Sequence, residues 1–423
     1  MTTDSLANKQ DQSLEILVPW NDLKVSPSEL RLDQTLVCGQ AFRWKATGEN
    51  EWTCALWDVV VDLKQTAETV LYRILGHRPI EYSRIPEEFL ADALCDYFQL
   101  NENLGSLCDR WTSVDPDFAI LRQTQLGVRA LRQPVTESMF TFIASSNNNI
   151  KRITMLIDKL CQQYGYPIDT AKGTFYTFPR VQDIAMDKDI EGTFTRLGFG
   201  YRAKYYARTV ERLMKMHEDP EQFLLQLRAD SSWEAVKEQL TQFSGVGPKV
   251  ADCICLTSLD KIDAVPVDTH IWQIAKRRYV NRVLALQSSK PTEESITNDL
   301  AIQVPDSKRD LMIAMARELA TAKAPTTKTY EAAQRLFVEL FSPHAGWAQL
   351  LLFSGDLEGA NGAGKAAKSS VKKEAKVKIA SKRKVVAKDS STLSINVSEV
   401  AKVNGRMVLR SGGGKRTKPS KTE

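Results

Sequence analysis

Two periods of hydrophobic spacing divide the chain. In its first third, apolar residues come in short runs rich in β-branched and aromatic side chains, at 35–44, 52–61 and 69–75, separated by turn-forming stretches such as Ala46-Thr47-Gly48-Glu49-Asn50. Such runs predict an antiparallel sheet. A shorter run, Leu14-Glu15-Ile16-Leu17-Val18, is closed by Pro19 and predicts an edge strand. Residues 86–112 turn helical, with Phe89, Leu90, Leu94, Tyr97 and Phe98 on one side. From Pro134 onward the spacing is almost wholly helical. Ile150, Ile153, Ile157, Leu160 and Tyr164 step by three or four, so 149–164 predicts an amphipathic helix whose other face carries Lys151, Arg152, Asp158 and Lys159. Trp233, Val236, Leu240 and Phe243 repeat that spacing over 232–243.

The periodicity fails in three places. Residues 1–13 are polar, and after Gly355 the composition shifts to Gly, Ala, Ser and Lys; both ends are predicted to be disordered. Residues 280–328 are more polar than their surroundings, include Ser288-Ser289-Lys290-Pro291-Thr292-Glu293-Glu294, and predict an inserted segment with a helix of its own at 308–322. The chain therefore reads as an α+β protein: a disordered N-terminus (1–13), an α/β domain (14–130), a helical domain (131–357) and a disordered basic tail (358–423).

Candidate chemistry gathers at a glycine-rich break between two helices, a helix-hairpin-helix at about 232–259. Gly245 and Gly247 permit positive φ and leave amide N–H groups uncovered. Pro248 suits the first position of the next helix, which puts Lys249 in its first turn. A cation there opposes the helix dipole by about 0.3–1 kcal/mol, so a depressed pKa is expected. A desolvated lysine of that kind can act as a neutral nucleophile; a solvated lysine or a phosphate contact is the plainer alternative. Asp268 follows Pro266-Val267 and precedes a helical run, so it is expected to cap that helix. A fixed carboxylate near Lys249 would also stabilise positive charge developing on a substrate.

This stretch, Gly245-Val246-Gly247-Pro248-Lys249-Val250-Ala251-Asp252-Cys253 with Pro266-Val267-Asp268-Thr269-His270, resembles the helix-hairpin-helix plus Gly/Pro-Asp motif of base-excision DNA glycosylases, and most closely the eukaryotic 8-oxoguanine DNA glycosylase/AP lyase family. Further stretches carry the resemblance from about residue 15 to 357: Gly39-Gln40-Ala41-Phe42-Arg43-Trp44, Ser145-Ser146-Asn147-Asn148-Asn149-Ile150, Gly198-Phe199-Gly200-Tyr201-Arg202-Ala203 and Gly346-Trp347-Ala348-Gln349. It implies that the N-terminal domain is related in shape to a TATA-binding-protein repeat. It also implies removal of 8-oxoguanine opposite cytosine from duplex DNA, followed by nicking through β-elimination. Lys249 would form the Schiff base and Asp268 would stabilise the cationic transition state. Gly39 would offer a carbonyl to N7–H of the lesion. Cys253, Gln349 and Phe353 would meet the flipped base. Asn147, Arg152 and Arg202 would meet the orphaned cytosine, Tyr201 would wedge into the stack, and Gly245, Gly247 and His270 would bind phosphates. From the residues alone, the asparagines read equally as caps, Tyr201-Arg202 as a packed loop, and Phe353 as core. Other readings are a glycosylase for another damaged purine, or a catalytically silent helix-hairpin-helix DNA-binding protein.

Composition narrows the class. The chain has 423 residues, 43% of them hydrophobic, enough for a sizeable core. No run of eighteen apolar residues occurs and the N-terminus lacks a secretory segment, so a monomeric, intracellular, non-membrane protein is expected. Seven cysteines form no Cys-x-x-Cys pair and are expected to be reduced core residues. None follows Asp268, which excludes the iron–sulfur cluster that related endonuclease III-like glycosylases carry after the aspartate; no metal or organic cofactor is expected. Residues 359–423 hold 17 Lys/Arg and 4 Asp/Glu, a net of +13, so the whole-chain +5 leaves −8 for residues 1–358. The body must then bind DNA through a local basic face, while the tail adds sequence-blind attraction to phosphate. Lys382-Arg383-Lys384 and Lys415-Arg416-Thr417-Lys418 are candidate nuclear-import signals.

Overall fold

The strand-forming runs pair into a five-stranded antiparallel sheet ordered β1-β5-β4-β3-β2, with β1 at Asn21–Asp22, β2 at Lys45–Gly48, β3 at Glu51–Leu56, β4 at Val59–Gln65 and β5 at Val70–His77. The computed structural model describes residues 18–79, 89–230, 232–287 and 302–357; the expectations for 1–13, most of the 14–18 run, 288–301 and the tail lie outside them. Trp52, Leu56, Val59, Val61 and Leu63 face one way and bury against Leu90, Leu94, Tyr97 and Phe98 of helix α2 (Leu90–Tyr97) and its end. Ala55 and Val60 face the other way, as the period of two requires.

Several expectations need correction. The 52–61 run is two strands joined at Trp57-Asp58, with Trp57 in left-handed backbone (φ 57°), a turn without the usual Asn-Gly signal. The 35–44 run is mostly not a strand: Leu32–Thr35 is a short helix, α1, and residues 36–44 run as irregular chain, largely buried apart from the exposed Val37. Gln40 replaces the missing sheet partners there, donating to the Thr35 and Arg129 carbonyls (3.1 and 2.7 Å) and accepting from the Leu131 amide (3.0 Å). The 86–112 helix is broken after α2, and Phe89 is exposed rather than buried. Nor is the chain beyond Pro134 wholly helical. A hairpin of β6 (Pro167–Thr170) and β7 (Gly173–Tyr176) lays Ile168 and Phe175 on the second face of the sheet.

The helical part contains α3 (Leu104–Val114), α4 (Asp117–Thr124), α5 (Val135–Ser145), α6 (Ile150–Tyr164), α7 (Val181–Ala185), α8 (Ile190–Leu197), α9 (Ala203–Met216), α10 (Pro220–Ala229), α11 (Trp233–Thr241), α12 (Pro248–Ser258) and α13 (Thr269–Ile274). A π-helical stretch, Ala275–Val280, leads into α14 (Asn281–Ala285); α15 (Asp306–Thr321), α16 (Thr327–Phe341) and α17 (345–357) follow. The last-but-two is the helix expected at 308–322. Helices α3 and α4 contribute Trp111, Phe118 and Leu121 to the helical core rather than to the sheet's. The sheet and helical parts form one compact unit. Arg129, wholly buried, links them: it donates to the carbonyls of Glu29 and Phe98 (3.0 and 2.9 Å) and to the Glu29 carboxylate (3.0 Å), and its guanidinium lies 5.4 Å from the centre of the Trp347 ring of α17.

Two helices form the axis of the helical part. Helices α5 and α12 are buried along almost their whole length and run antiparallel, so the end of one lies beside the start of the other. Ser138 and Thr257 hydroxyls bond at 2.9 Å along them, and the Gln133 amide donates to the Thr257 carbonyl at 2.7 Å. At the opposite end, Ser145 meets Lys249.

Candidate active site

The catalytic candidates occupy helix starts because the hairpin makes them do so. Ser232 caps α11 by accepting from the Ala235 amide (3.1 Å), and Val236, Leu240 and Phe243 bury its apolar face. Gly245 then turns the chain with φ at 83°, and a Cβ there would stand 2.8 Å from the Tyr205 ring. Gly247 differs from expectation: its φ is −89°, and nothing lies within 4 Å of where its Cβ would be. Its value is open space over an uncovered helix start, with Pro248 at the first turn as expected.

Lys249 is half-buried, with Nζ 3.5 Å from Ser145 Oγ and 5.5 Å from the centre of the Phe142 ring. Its pKa departs from the sequence expectation. Burial pulls it down, but the Cys253 sulfur one turn along α12 and the Asp268 carboxylate push it up further, so the ammonium form is favoured. The helix-start argument missed both partners. Cys253 in turn is raised to about 11, by burial first and against the pull of Lys249, which leaves it a thiol at neutral pH.

Asp268 caps α13 as expected, accepting from the Ile271 amide at 2.9 Å. The loop before it is fixed from behind by the buried Asp252. That carboxylate accepts from Trp233 Nε1 (2.9 Å), Lys237 Nζ (2.8 Å), Gln334 Nε2 (2.8 Å) and the Tyr330 hydroxyl, and Gln334 Nε2 also reaches the Val265 carbonyl (2.9 Å). Helices α11, α12 and α16 thus share one anchor with the strand of chain that ends in Asp268.

A cleft of about 990 Å³ opens over these residues and is lined by Gly39, Phe142, Asn147, Lys249, Asp268, His270 and Phe353 among others. Gly39 has φ at 88°, and its Cβ position lies 3.3 Å from Ile150 Cδ1 and 3.7 Å from Phe353 Cε1. Glycine is required there by backbone and by space. Phe353 projects from α17, whose start is pressed on the 262–264 loop: the Gly346 amide donates to Ile262 (3.0 Å), and a Cβ on Gly346 would sit 2.4 Å from the Ala264 carbonyl. Gln349 and Cys253 do not line the open cleft; they are 5% and 6% exposed and lie behind its wall. His270 sets its ring edge-to-face with Phe353, centroids 6.1 Å apart.

The triple asparagine separates into three jobs. Asn148 donates to the Ala144 carbonyl (2.9 Å) and closes α5, while Asn149 accepts from the Arg152 amide (3.0 Å) and opens α6. Asn147 is left-handed (φ 47°) and exposed, and its side chain makes no hydrogen bond among the described residues. Tyr201 stands beside it, 53% exposed, its hydroxyl donating to the Ser146 carbonyl at 3.1 Å. Arg202 is brought to the same corner but is 2% exposed, and it holds the turn from beneath by donating to the carbonyls of Ser146 and Asn147 (Nη2 to Asn147, 2.9 Å). Arg152 is exposed at the rim, where Nη2 reaches the Gly198 carbonyl at 3.4 Å. Sequence reasoning passed over Phe142, Ser145 and Ile150 as participants. Ser145 alone had a signal, as a hydroxyl next to the asparagine turn.

Replacing Gly39 by alanine is expected to lower single-turnover base excision about 10- to 100-fold, the value of one hydrogen bond lost and one polar group stranded. Melting temperature should fall modestly, because a Cβ at φ 88° is strained, while affinity for abasic-site DNA holds; proportionate losses in all three would remove Gly39 from recognition.

Comparison with known proteins identifies the family. The family model of the 8-oxoguanine DNA glycosylase N-terminal domain matches residues 22–139, and that of the HhH-GPD superfamily of base excision DNA repair proteins matches residues 140–300. An N-glycosylase/DNA lyase of Arabidopsis thaliana is 35% identical over 80% of each chain. The N-glycosylase/DNA lyase of Saccharomyces cerevisiae is 32% identical over 80% of this chain and 87% of its own. Among solved structures, the Clostridium acetobutylicum 8-oxoguanine glycosylase/lyase, bound to double-stranded DNA with cytosine opposite 8-oxoguanine, aligns with a TM-score of 0.57 at 26% identity, over 79% of this chain and 93% of its own. A 3-methyladenine DNA glycosylase from Archaeoglobus fulgidus shares the fold alone (TM-score 0.52, 18% identity, 79% and 97% covered). With both family models matched in order and with two N-glycosylase/DNA lyases above 30% identity aligned over 80% of its length, the chain belongs to the 8-oxoguanine DNA glycosylase family of helix-hairpin-helix base excision repair proteins and is a bifunctional DNA N-glycosylase and lyase.

Proposed function

We propose that the enzyme removes 8-oxoguanine paired with cytosine from duplex DNA and then nicks the strand. The observation that carries this reading is that Gly39, Lys249, Asp268 and Phe353 face one cleft. Oxidation at C8 turns N7 of guanine from acceptor to donor, and the Gly39 carbonyl is the acceptor that tells the two apart. The flipped purine stacks on Phe353, and Gln349 reads its Watson–Crick edge once the wall in front of it yields. Cys253, behind the wall beside Lys249, meets the base from the opposite side once that wall yields. Asn147 and Arg152 hydrogen-bond the cytosine left behind, Tyr201 fills the vacated stack, and Arg202 acts by holding the Asn147 turn. Gly245, Gly247 and His270 bind the flanking phosphates.

Excision needs the Lys249 amine to attack C1′ while the C1′–N bond breaks towards the base. Lys249 rests as an ammonium, so a proton must leave it, and the departing base needs one; the two requirements balance. Asp268 stabilises the positive charge that grows on the sugar. The opened sugar and Lys249 then form a Schiff base, a proton leaves C2′, the 3′ phosphate departs by β-elimination, and water releases the lysine. The basic clusters at 382–384 and 415–418 support a nuclear location for a protein acting as a monomer.

The test is a panel of duplexes carrying 8-oxoguanine, an alkylated purine or no lesion opposite each of the four bases. Fastest excision of 8-oxoguanine opposite cytosine, with a borohydride-trapped protein–DNA adduct, is the expected result. Preference for the alkylated purine, or indifference to the opposite base, would overturn it.

A further inference from the structure

Helix α9 leaves the Tyr201-Arg202 corner and runs alongside the hairpin. Ala203, Tyr206, Thr209, Val210 and Leu213 are its buried side. Lys204, Arg208 and Arg212 recur every four residues on the exposed side, and Lys215 follows. Residues so spaced stand in one file. The body of this chain has a net charge of −8 over residues 1–358, as the +5 total and +13 tail require, so a file of cations is a concentration against the background. Glu211, the acidic residue of this face, is matched by Lys215 at 2.6 Å. Among the described residues, Lys204 and Arg208 form no salt bridge, although the Arg208 charge also favours ionised Glu211.

The file is locked to the phosphate-binding hairpin. Thr209 Oγ1 donates to the Ser244 carbonyl (3.0 Å), Arg212 Nη2 donates to Gln242 Oε1 (2.8 Å), and the Arg212 guanidinium lies 5.6 Å from the centre of the Phe243 ring. A groove of about 570 Å³ lies between them, lined by Arg208, Arg212, Lys215, Gln242 and Ser244 among others. It continues the catalytic surface. Ser146 and Gly247 border both the main cleft and a neighbouring groove, which extends through Tyr201, Tyr205, Thr241 and Phe243 to the foot of α9. From Lys204 to Arg212 the helix advances roughly 12 Å, which matches about three to four base-pair steps of duplex.

The geometry points to an accessory backbone site on α9, in which Lys204, Arg208 and Arg212 take phosphates of duplex DNA beyond those met by the hairpin. It rests on the glycosylase reading for the presence of DNA, and it adds a stretch of flanking duplex on one side of the lesion to the footprint. The hairpin fixes register at the lesion, and the file lengthens the contact without touching the chemistry.

The experiment compares the full-length protein with Lys204→Gln/Arg208→Gln, in which glutamine keeps helix propensity. Affinity is measured from 50 to 200 mM salt on three duplexes: one short, one extended 5′ of the lesion and one extended 3′. Each lost phosphate contact lowers the slope of log affinity against log salt by about 0.9, so the double variant should lose about 1.8 on one extended duplex only, and its deficit should shrink roughly tenfold over that salt range. Melting temperature and single-turnover excision at saturating enzyme should match wild type, and Arg208→Glu should exaggerate the binding loss on the same duplex. Unchanged slopes on both extended duplexes, or one common loss on all three, would overturn the assignment. Failure of wild type to excise 8-oxoguanine would instead count against the glycosylase reading, since the binding slopes do not depend on it.

Discussion

Lys249→Gln is expected to stop both base excision and strand nicking while lesion-containing DNA still binds. An amide nitrogen has no free lone pair to give to C1′, and removal of a hydrolase's nucleophile costs on the order of four to six decades in rate. Glutamine keeps most of the length of the side chain over Phe142 and suits a helix. A modest fall in stability is expected too. The folded-state pKa is raised, so the ammonium contributes stability that is fully present below the ordinary lysine pKa and lost as pH rises through the folded value. At neutral pH the variant therefore forgoes that contribution. Single-turnover excision, borohydride trapping and affinity for lesion duplex are the measurements. A trapped adduct in the variant would assign the nucleophile elsewhere.

Asp268→Asn separates two duties that one carboxylate performs. Asparagine caps a helix about as well as aspartate, so the bond to the Ile271 amide should survive and melting temperature should hold. The charge facing the sugar is gone, and excision should fall by about 10²–10³-fold, the range found when one electrostatic stabiliser is removed. Loss of the same charge also removes one of the groups that hold the Lys249 pKa up, so residual activity should rise with pH at lower pH than in wild type. Asp268→Ala should lose the catalysis and a further ~0.5–2 kcal/mol of stability with the cap. If the asparagine variant matched wild type in rate, Asp268 would be structural only.

The sequence made the helical half legible because each helix buries one stripe, and Asn149, Ser232 and Asp268 announce their helices by capping them. The hairpin was legible for a related reason: Pro248 and Gly245 are chosen by backbone geometry, whereas Gly247, with φ at −89°, is not. Local pattern failed where side chains from distant parts of the chain decide the outcome. Residues 35–44 have strand composition, yet Gln40 bonds across some ninety residues to Arg129 and Leu131 and leaves no ladder to join. The Lys249 pKa was misjudged because the helix-dipole argument left out the Cys253 sulfur, one turn along the same helix, and the Asp268 charge at the start of the next. Arg202 was legible as a member of the corner but not as its support, since burial under the Asn147 turn depends on where that turn falls.

The cleft draws its walls from far-apart stretches: Gly39 and Phe353 close it on one side, and Lys249 and Asp268 enter from between them in sequence. Such an arrangement has a high contact order, which slows folding. It also bears on biosynthesis. Between polymerising residue 249 and residue 353 a ribosome needs roughly 5–20 seconds at ordinary elongation speed. Throughout that interval the nascent chain holds Lys249 and Asp268 but lacks Phe353, the ring beside Gly39 in the cleft. A ribosome-bound or prematurely terminated product thus cannot assemble the cleft, and DNA meets a competent lyase only after α17 has been made and has closed Gly346 onto Ala264.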